Sequence, residues 1–142
     1  MIVSSRFTVA VHILALLAHE DGRALTSDYI AGSVNTNPVV IRRVLGLLAK
    51  AGLVASSEGK GGGTTLQQRA SKISLADVFH AVESAKLFAL PPNDPNPLCP
   101  VGRSVQHVLE GQLELFEAAL EKSMSKVSIA DVLAGIQTAN RR

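Results

Sequence analysis

Apolar residues recur at helical spacing near the start of the chain. Phe7, Ala10, Val11, Leu14, Leu17 and Ala18 share one side of a helix expected from about Arg6 to His19, capped by Ser4 or Ser5. Val9, Ile13 and Leu16 mark a second side, and only Thr8, His12 and His19 leave a polar stripe. A helix apolar almost all round needs partners on two sides. Its own domain is expected to supply one and a second subunit the other. After the turn Glu20-Asp21-Gly22-Arg23, a short second helix begins at Thr26, with Leu25 and Ile30 at the staple positions, and ends near Gly32. Asn37-Pro38 then opens a third helix, because Asn caps well and Pro is favoured at the first helical position. Ile41, Val44, Leu45 and Leu48 form its inward face, and Gly52 is its stop.

Beyond Gly52 the period shortens. Residues 53–57 read as a strand, 58–63 as a glycine-rich turn and 64–68 as the returning strand, so a hairpin follows two helices in the manner of a wing. Ser74-Leu75-Ala76-Asp77 starts a fourth helix with a capping box that carries Asp where Glu or Gln is usual, stapled by Ile73 and Val78. Val127-Ser128-Ile129-Ala130-Asp131 repeats that helix start without its flanks, which argues for a shared solution and not a duplication. Between the two, Pro91, Pro92, Pro95, Pro97 and Pro100 exclude a helix and make a stiff connector. A long helix follows from about Gly102 to Lys122. Val101, Val105, Val108, Leu109, Leu113, Phe116 and Leu120 line one side, and Glu110, Glu114, Glu117 and Glu121 another. An apolar row behind a long connector suits pairing with a second subunit.

The expected fold is therefore mostly α with a small β-hairpin: a winged helix-turn-helix domain plus a long dimerisation helix. The expected divisions are 1–84 for the winged domain, 85–101 for the Pro-rich connector, and 102–142 for the dimerisation helix and C-terminal helix.

Composition adds little until it is mapped. Net charge is only +2, and aromatics are scarce, with no Trp and one Tyr. Residues 1–70, however, carry seven Lys/Arg against four Asp/Glu, and residues 71–142 carry seven against eight. Arg42, Arg43, Lys50, Lys60 and Arg69 share their stretch with one acid, Glu58, which makes a local basic surface of the kind a phosphate backbone attracts. Two helices joined by a tight turn let the second enter a major groove while the first braces it. On that reading, Thr26, Asn37, Pro38, Val39, Arg42, Arg43 and Lys50 are the candidate DNA contacts of the helices. Arg42 or Arg43 forks onto guanine and Val39 meets a thymine methyl. Lys60, Gly61 and Gly62 are the candidate contacts of the wing, along the backbone or in the minor groove. The alternative is a winged-helix protein-interaction module without DNA binding.

Other chemistries fit poorly. The run from Gly59 to Gly63 lacks the Ser or Thr after Lys that a P-loop requires and opens no helix. No nucleophile elbow, paired-carboxylate motif or zinc-protease motif appears, so no enzyme is expected. Cys99 is the only cysteine, which excludes an intrachain disulfide and suits a reducing, cytoplasmic compartment. Arg6 and the apolar run behind it look like a signal peptide, but His12 interrupts the run and no small-x-small site follows Ala18, so residues 1–20 are expected to be a mature helix. No apolar run reaches membrane-span length, and no membrane partner is expected.

Several motifs together resemble the Rrf2 family of bacterial winged-helix regulators. They are Asn35 to Val54, Gly59-x-Gly61-Gly62-Gly63 followed by Leu66, Ile73-Ser74-Leu75-x-Asp77-Val78, and Ala81-Val82-Glu83. Asn96-Pro97-x-Cys99-Pro100-Val101-Gly102 resembles the YwnA-like branch of that family. The resemblance spans nearly the whole chain. It implies a homodimer on double-stranded DNA at a palindromic or semi-palindromic operator, usually as a repressor, with the long helix pairing the subunits. Two wing positions depart from the family pattern: Glu58 stands where many members have Arg, and Thr64 where they have an aromatic. Iron–sulfur members hold their cluster with three cysteines after the fourth helix, and only Cys99 is present here. A cluster needs several thiolates, and neither His80 nor His107 stands at metal-site spacing. No metal or cofactor is therefore expected. Cys99, ahead of a helix N-terminus with Arg103 nearby, is instead a candidate redox-sensing thiol.

Overall fold

The computed structural model describes residues 4–84 and 86–142. The first three positions of the expected winged domain, and Ala85 at the head of the expected connector, lie outside them. The described elements are α1 (Arg6–His19), α2 (Ser27–Val34), α3 (Pro38–Lys50), β1 (Val54–Ser57), β2 (Gly63–Leu66), a short 3-10 turn (Ala70–Lys72), α4 (Leu75–Val82), α5 (Val105–Ser125) and α6 (Ile129–Asn140). They fall into two compact units, one formed by residues 4–84 with 124–142 and the other by residues 86–123.

The first unit is built around α1. Ala10, Ile13, Leu14 and Leu17 are buried against Ile30, Ile41, Val44, Leu48, Leu53, Ile73 and Val78. Here α1 starts at Arg6 as its pattern implies, and Ser4 supplies the oxygen that accepts the Arg6 N–H, at 3.1 Å. On α2, the Thr26 hydroxyl oxygen accepts the Tyr29 N–H. That helix passes Gly32 and stops at Asn35, which adopts the left-handed conformation (φ 61°) that Asn tolerates better than most residues. Asn37 caps α3 by accepting the Val39 N–H at 2.8 Å, with Pro38 in the first turn. Gly52, at φ +78°, turns the chain out of α3 and into β1.

The hairpin pairs β1 and β2 antiparallel, Val54 opposite Leu66 and Ser57 opposite Gly63. Near its turn end, β2 is joined to the segment before α2. Leu25 donates its N–H to Thr64 O at 3.0 Å, and Thr64 donates to Leu25 O at 2.8 Å. Gly63 is needed there, because a Cβ would stand 2.7 Å from Leu25 O and the backbone has φ +150°. Thr64 is buried, its hydroxyl 2.9 Å from that of Ser56. A small polar residue thus fits inside the sheet at this position.

The two matching helix starts lie side by side. Ser74 and Ser128 each cap a helix and complete a capping box with Asp77 and Asp131. The strands of chain before them pair antiparallel, through Leu75 N–H to Val127 O at 2.8 Å and Ile129 N–H to Ile73 O at 2.9 Å. This pairing, with Ile129 fully buried, packs α6 onto α1 and the 3-10 turn. Of the second side of α1, Ile13 is buried in the core of the same chain, and Leu16 shares a cleft with Val132, Leu133 and Ile136. Likewise α6 belongs with the winged body, whereas the pattern alone grouped it with the long helix in 102–142.

In the second unit, the described connector residues form turns and no helix up to the start of α5. Asn96 shapes the passage: its Oδ1 accepts the Leu98 N–H at 2.9 Å and its carbonyl accepts the Cys99 N–H at 3.2 Å. Regular helix begins at Val105, three residues later than the pattern implied, because residues 98–104 are held in successive turns. Not one residue of α5 is buried.

Candidate nucleic-acid interface

Alternation of inward and outward positions prepares the outer face of α3. With Ile41, Val44, Leu45 and Leu48 buried, residues three and four apart from Val39 point away from the core: Arg42, Gly46 and Ala49, with Arg43 and Lys50 beside them. All six are exposed, and Val39 keeps 46% of its surface open despite being apolar. Gly46 and Ala49 escape a search for charged or polar groups. Their signal is the spacing from Val39 and Arg42, which puts the least bulky residues in the middle of the exposed strip. No atom stands within 4 Å of a Cβ built on Gly46, so internal packing does not require that glycine.

The N-terminal candidates are partly committed to capping. Thr26 and Asn37 each use a side-chain oxygen on a backbone N–H, which leaves the Thr26 hydroxyl proton and the Asn37 amide protons available. Pro38 is half-buried. On α2, Tyr29 donates its hydroxyl to Glu20 Oε1 at 2.9 Å, which raises the phenol above its ordinary pKa, and the Arg23 guanidinium lies over the Tyr29 ring at 5.3 Å.

At the wing, Lys60 is exposed between Gly59 (φ +92°) and Gly61 (φ +79°), in a turn closed by Gly62 N–H to Gly59 O at 3.0 Å. A Cβ on Gly62 would meet Ser57 O at 2.5 Å, so this turn requires glycine there. A cleft of about 310 Å³ between α3 and the hairpin is lined by Ser27, Arg42, Gly46, Ser56, Ser57 and Thr64 among others. Arg42 Nη2 stands 4.0 Å from Asp28 Oδ1. Asp28 lies outside the stretch that looked almost purely basic, so the turn between helices returns an acid to the cationic face. Among the described residues, Arg43, Lys50 and Lys60 have no such acidic neighbour within ion-pair distance.

Cys99 lies in the second unit and is exposed. Its Sγ accepts the Gly102 N–H at 3.5 Å, and backbone N–H groups of Gly102 and then Val101 lower its pKa below the usual thiol value. Arg103 is not among the causes, and neither is a helix start, since α5 begins six residues on.

A helix pair with an open basic second helix, followed by a glycine-tipped hairpin, defines a winged helix-turn-helix protein. The chain belongs to the Rrf2 family: the family model, described as an iron-dependent transcriptional regulator, matches residues 3–135. It is a transcriptional regulator and not an enzyme. Over 132 residues it is 41% identical to YwnA of Bacillus subtilis (strain 168), named as an HTH-type transcriptional regulator, covering 92% of this chain and 96% of that protein. A crystal structure described as that of a DNA-binding protein shares 37% identity at a TM-score of 0.73, covering 91% of this chain and 99% of that one. CymR of B. subtilis, described as its global cysteine regulator, has a TM-score of 0.69 at 19% identity over 94% of this chain and 97% of that one, a likeness of fold alone.

The iron dependence in the family description does not fit this donor set. There is one thiol per chain, and among the described residues no three of His, Cys, Asp and Glu stand together as metal ligands. Among those residues, no helix is long and apolar enough to cross a membrane.

Proposed function

We propose that this regulator binds double-stranded DNA in the cytoplasm as a homodimeric repressor, laying α3 of each subunit into the major groove at one half of a semi-palindromic operator. The observation that carries the reading is the exposed strip Val39, Arg42, Arg43, Gly46, Ala49 and Lys50, opposite a fully buried face of the same helix. Arg42 or Arg43 addresses guanine, Val39 a thymine methyl, and the Asn37 amide a base edge or phosphate. Thr26, Lys50 and Lys60 hold the backbone, and Gly61 and Gly62 let it come close to the wing. Pairing is assigned to α5, whose Val108, Leu109, Phe116 and Leu120 are exposed along one side.

The test is a double substitution, Arg42→Ala with Arg43→Ala. Operator affinity, measured on fragments recovered from genomic DNA, is expected to fall on the order of 100-fold while the protein stays a folded dimer. Wild-type affinity is expected to fall steeply with salt, through counterion release. A double mutant that binds as well as wild type overturns the assignment. Binding indifferent to salt would favour a protein-interaction module.

Regulation is proposed to run through Cys99 and without an iron–sulfur cluster. Its exposure and the N–H groups directed at its sulfur favour the thiolate. Attack of that thiolate on a peroxide gives a sulfenic acid on sulfur and releases hydroxide, which takes up a proton as water. Operator affinity is expected to change on peroxide treatment in wild type and to stay constant in Cys99→Ser. Equal responses in both remove the thiol from the mechanism.

A further inference from the structure

Most of the candidate DNA-facing cations stand clear of acids. Arg42 is the exception, because Asp28 in the first turn of α2 faces it across the helix-turn-helix. Both groups are open to solvent, 59% for the Arg42 side chain and 79% for Asp28. A pair so exposed adds little to stability. At 4.0 Å it is an ion pair too long for a hydrogen bond. All five guanidinium N–H donors therefore remain free for a base, while the charge is drawn toward the first helix and over the cleft that Ser27, Gly46, Ser56 and Ser57 help to line.

We propose that Asp28 is a positioning residue for Arg42 that exchanges general DNA affinity for sequence discrimination. The inference rests on the reading of α3 as the recognition helix. Two effects act together. The carboxylate restricts where the flexible Arg42 head sits, so that a guanine at the matching base pair meets a guanidinium already in place. It also places negative charge where the first helix approaches the duplex, so phosphates alone are a poorer substitute for the right base. Replacing Asp28 frees Arg42 to settle on whichever phosphate is nearest.

The experiment selects duplexes from a pool randomised over the operator length, using full-length wild type, Asp28→Asn and Asp28→Glu. Affinities are then measured for the wild-type selected duplex and for a scrambled duplex of equal length, at two salt concentrations. Asp28→Asn is expected to bind the scrambled duplex about threefold to tenfold more tightly, with a steeper salt dependence by about one phosphate equivalent. It is also expected to lose about tenfold in preference for guanine at one position per half-site. Asp28→Glu, which keeps the charge, is expected to retain most of that preference. Unchanged discrimination in Asp28→Asn overturns the proposal and leaves the recognition-helix reading intact, as does an equal loss on both duplexes, the mark of a merely structural role. A wild type that selects no sequence overturns the recognition-helix reading itself, and this proposal with it.

Discussion

The winged body and the segment that carries α5 use apolar residues in opposite ways. In the body, Ile13, Leu14, Ile30, Ile41, Leu48, Ile73, Val78 and Ile129 are almost wholly removed from solvent, and each helix finds its partner in the same chain. Along α5, a row of comparable side chains stays open, with Val108 at 62% and Phe116 at 55% exposure. The same amphipathic signal thus has two outcomes. Where loops are short and capped, the apolar face closes on itself. Where a proline-rich connector intervenes, it stays open, and a second copy of α5 is the occupant proposed above.

The sharpest way to break that contrast is to damage each region and watch the dependence on concentration. Leu48→Ala is expected to lower unfolding stability by about 2–5 kcal/mol. Leu109→Glu with Phe116→Glu is expected to leave the body folded by circular dichroism, yet produce monomers in sedimentation. It should also abolish the rise of thermal midpoint with protein concentration and weaken operator binding by more than about 100-fold through loss of the second half-site. Dimers that survive the double substitution would mean that the open row of α5 is not the pairing surface.

A smaller effect separates packing from function within the body. Gly46→Ala adds a methyl where nothing is crowded, and Ala exceeds Gly in helix interiors by about 0.5–1 kcal/mol. Stability measured by urea unfolding is expected to rise, while operator affinity falls about tenfold if the duplex needs that space. A variant both more stable and equally tight would remove Gly46 from the contact strip. The smallest effect belongs to Cys99. Because its pKa lies below the ordinary value, alkylation by iodoacetamide is expected to reach its half-maximal rate at a lower pH in the folded protein than in urea. Between those two midpoints the folded chain should react faster. A higher midpoint in the folded state would contradict the backbone N–H contacts at its sulfur.

Much of the body was legible because its signals are local. Asn37-Pro38, Gly52 and the Ser74/Asp77 box announce helix ends through chemistry confined to one turn, and the core face of α3 follows from period alone. Relations between distant segments were not. The docking of α6 depends on residues 73–75 pairing with 127–129, which the repeated Ser-x-x-Asp start hinted at but did not specify. The Asp28–Arg42 pair crosses the turn between helices, and Gly46 carries no side chain to draw notice. The pattern starts α5 three residues early because the turns from 98 to 104 include backbone bonds of helical spacing, Arg103 N–H to Cys99 O and Val105 N–H to Val101 O, before regular helix sets in.

The pair of backbone bonds between Leu25 and Thr64 has one more consequence. It ties β2, close to the glycine-rich turn, to the entrance of α2, so hairpin and helix pair are joined as one block and not as a hinged flap. An incoming duplex then meets a surface whose shape is already set, and little ordering is left to accomplish on contact. Capture by such a block is governed by diffusion, orientation and ionic strength, and its speed should track the salt concentration far more than the temperature.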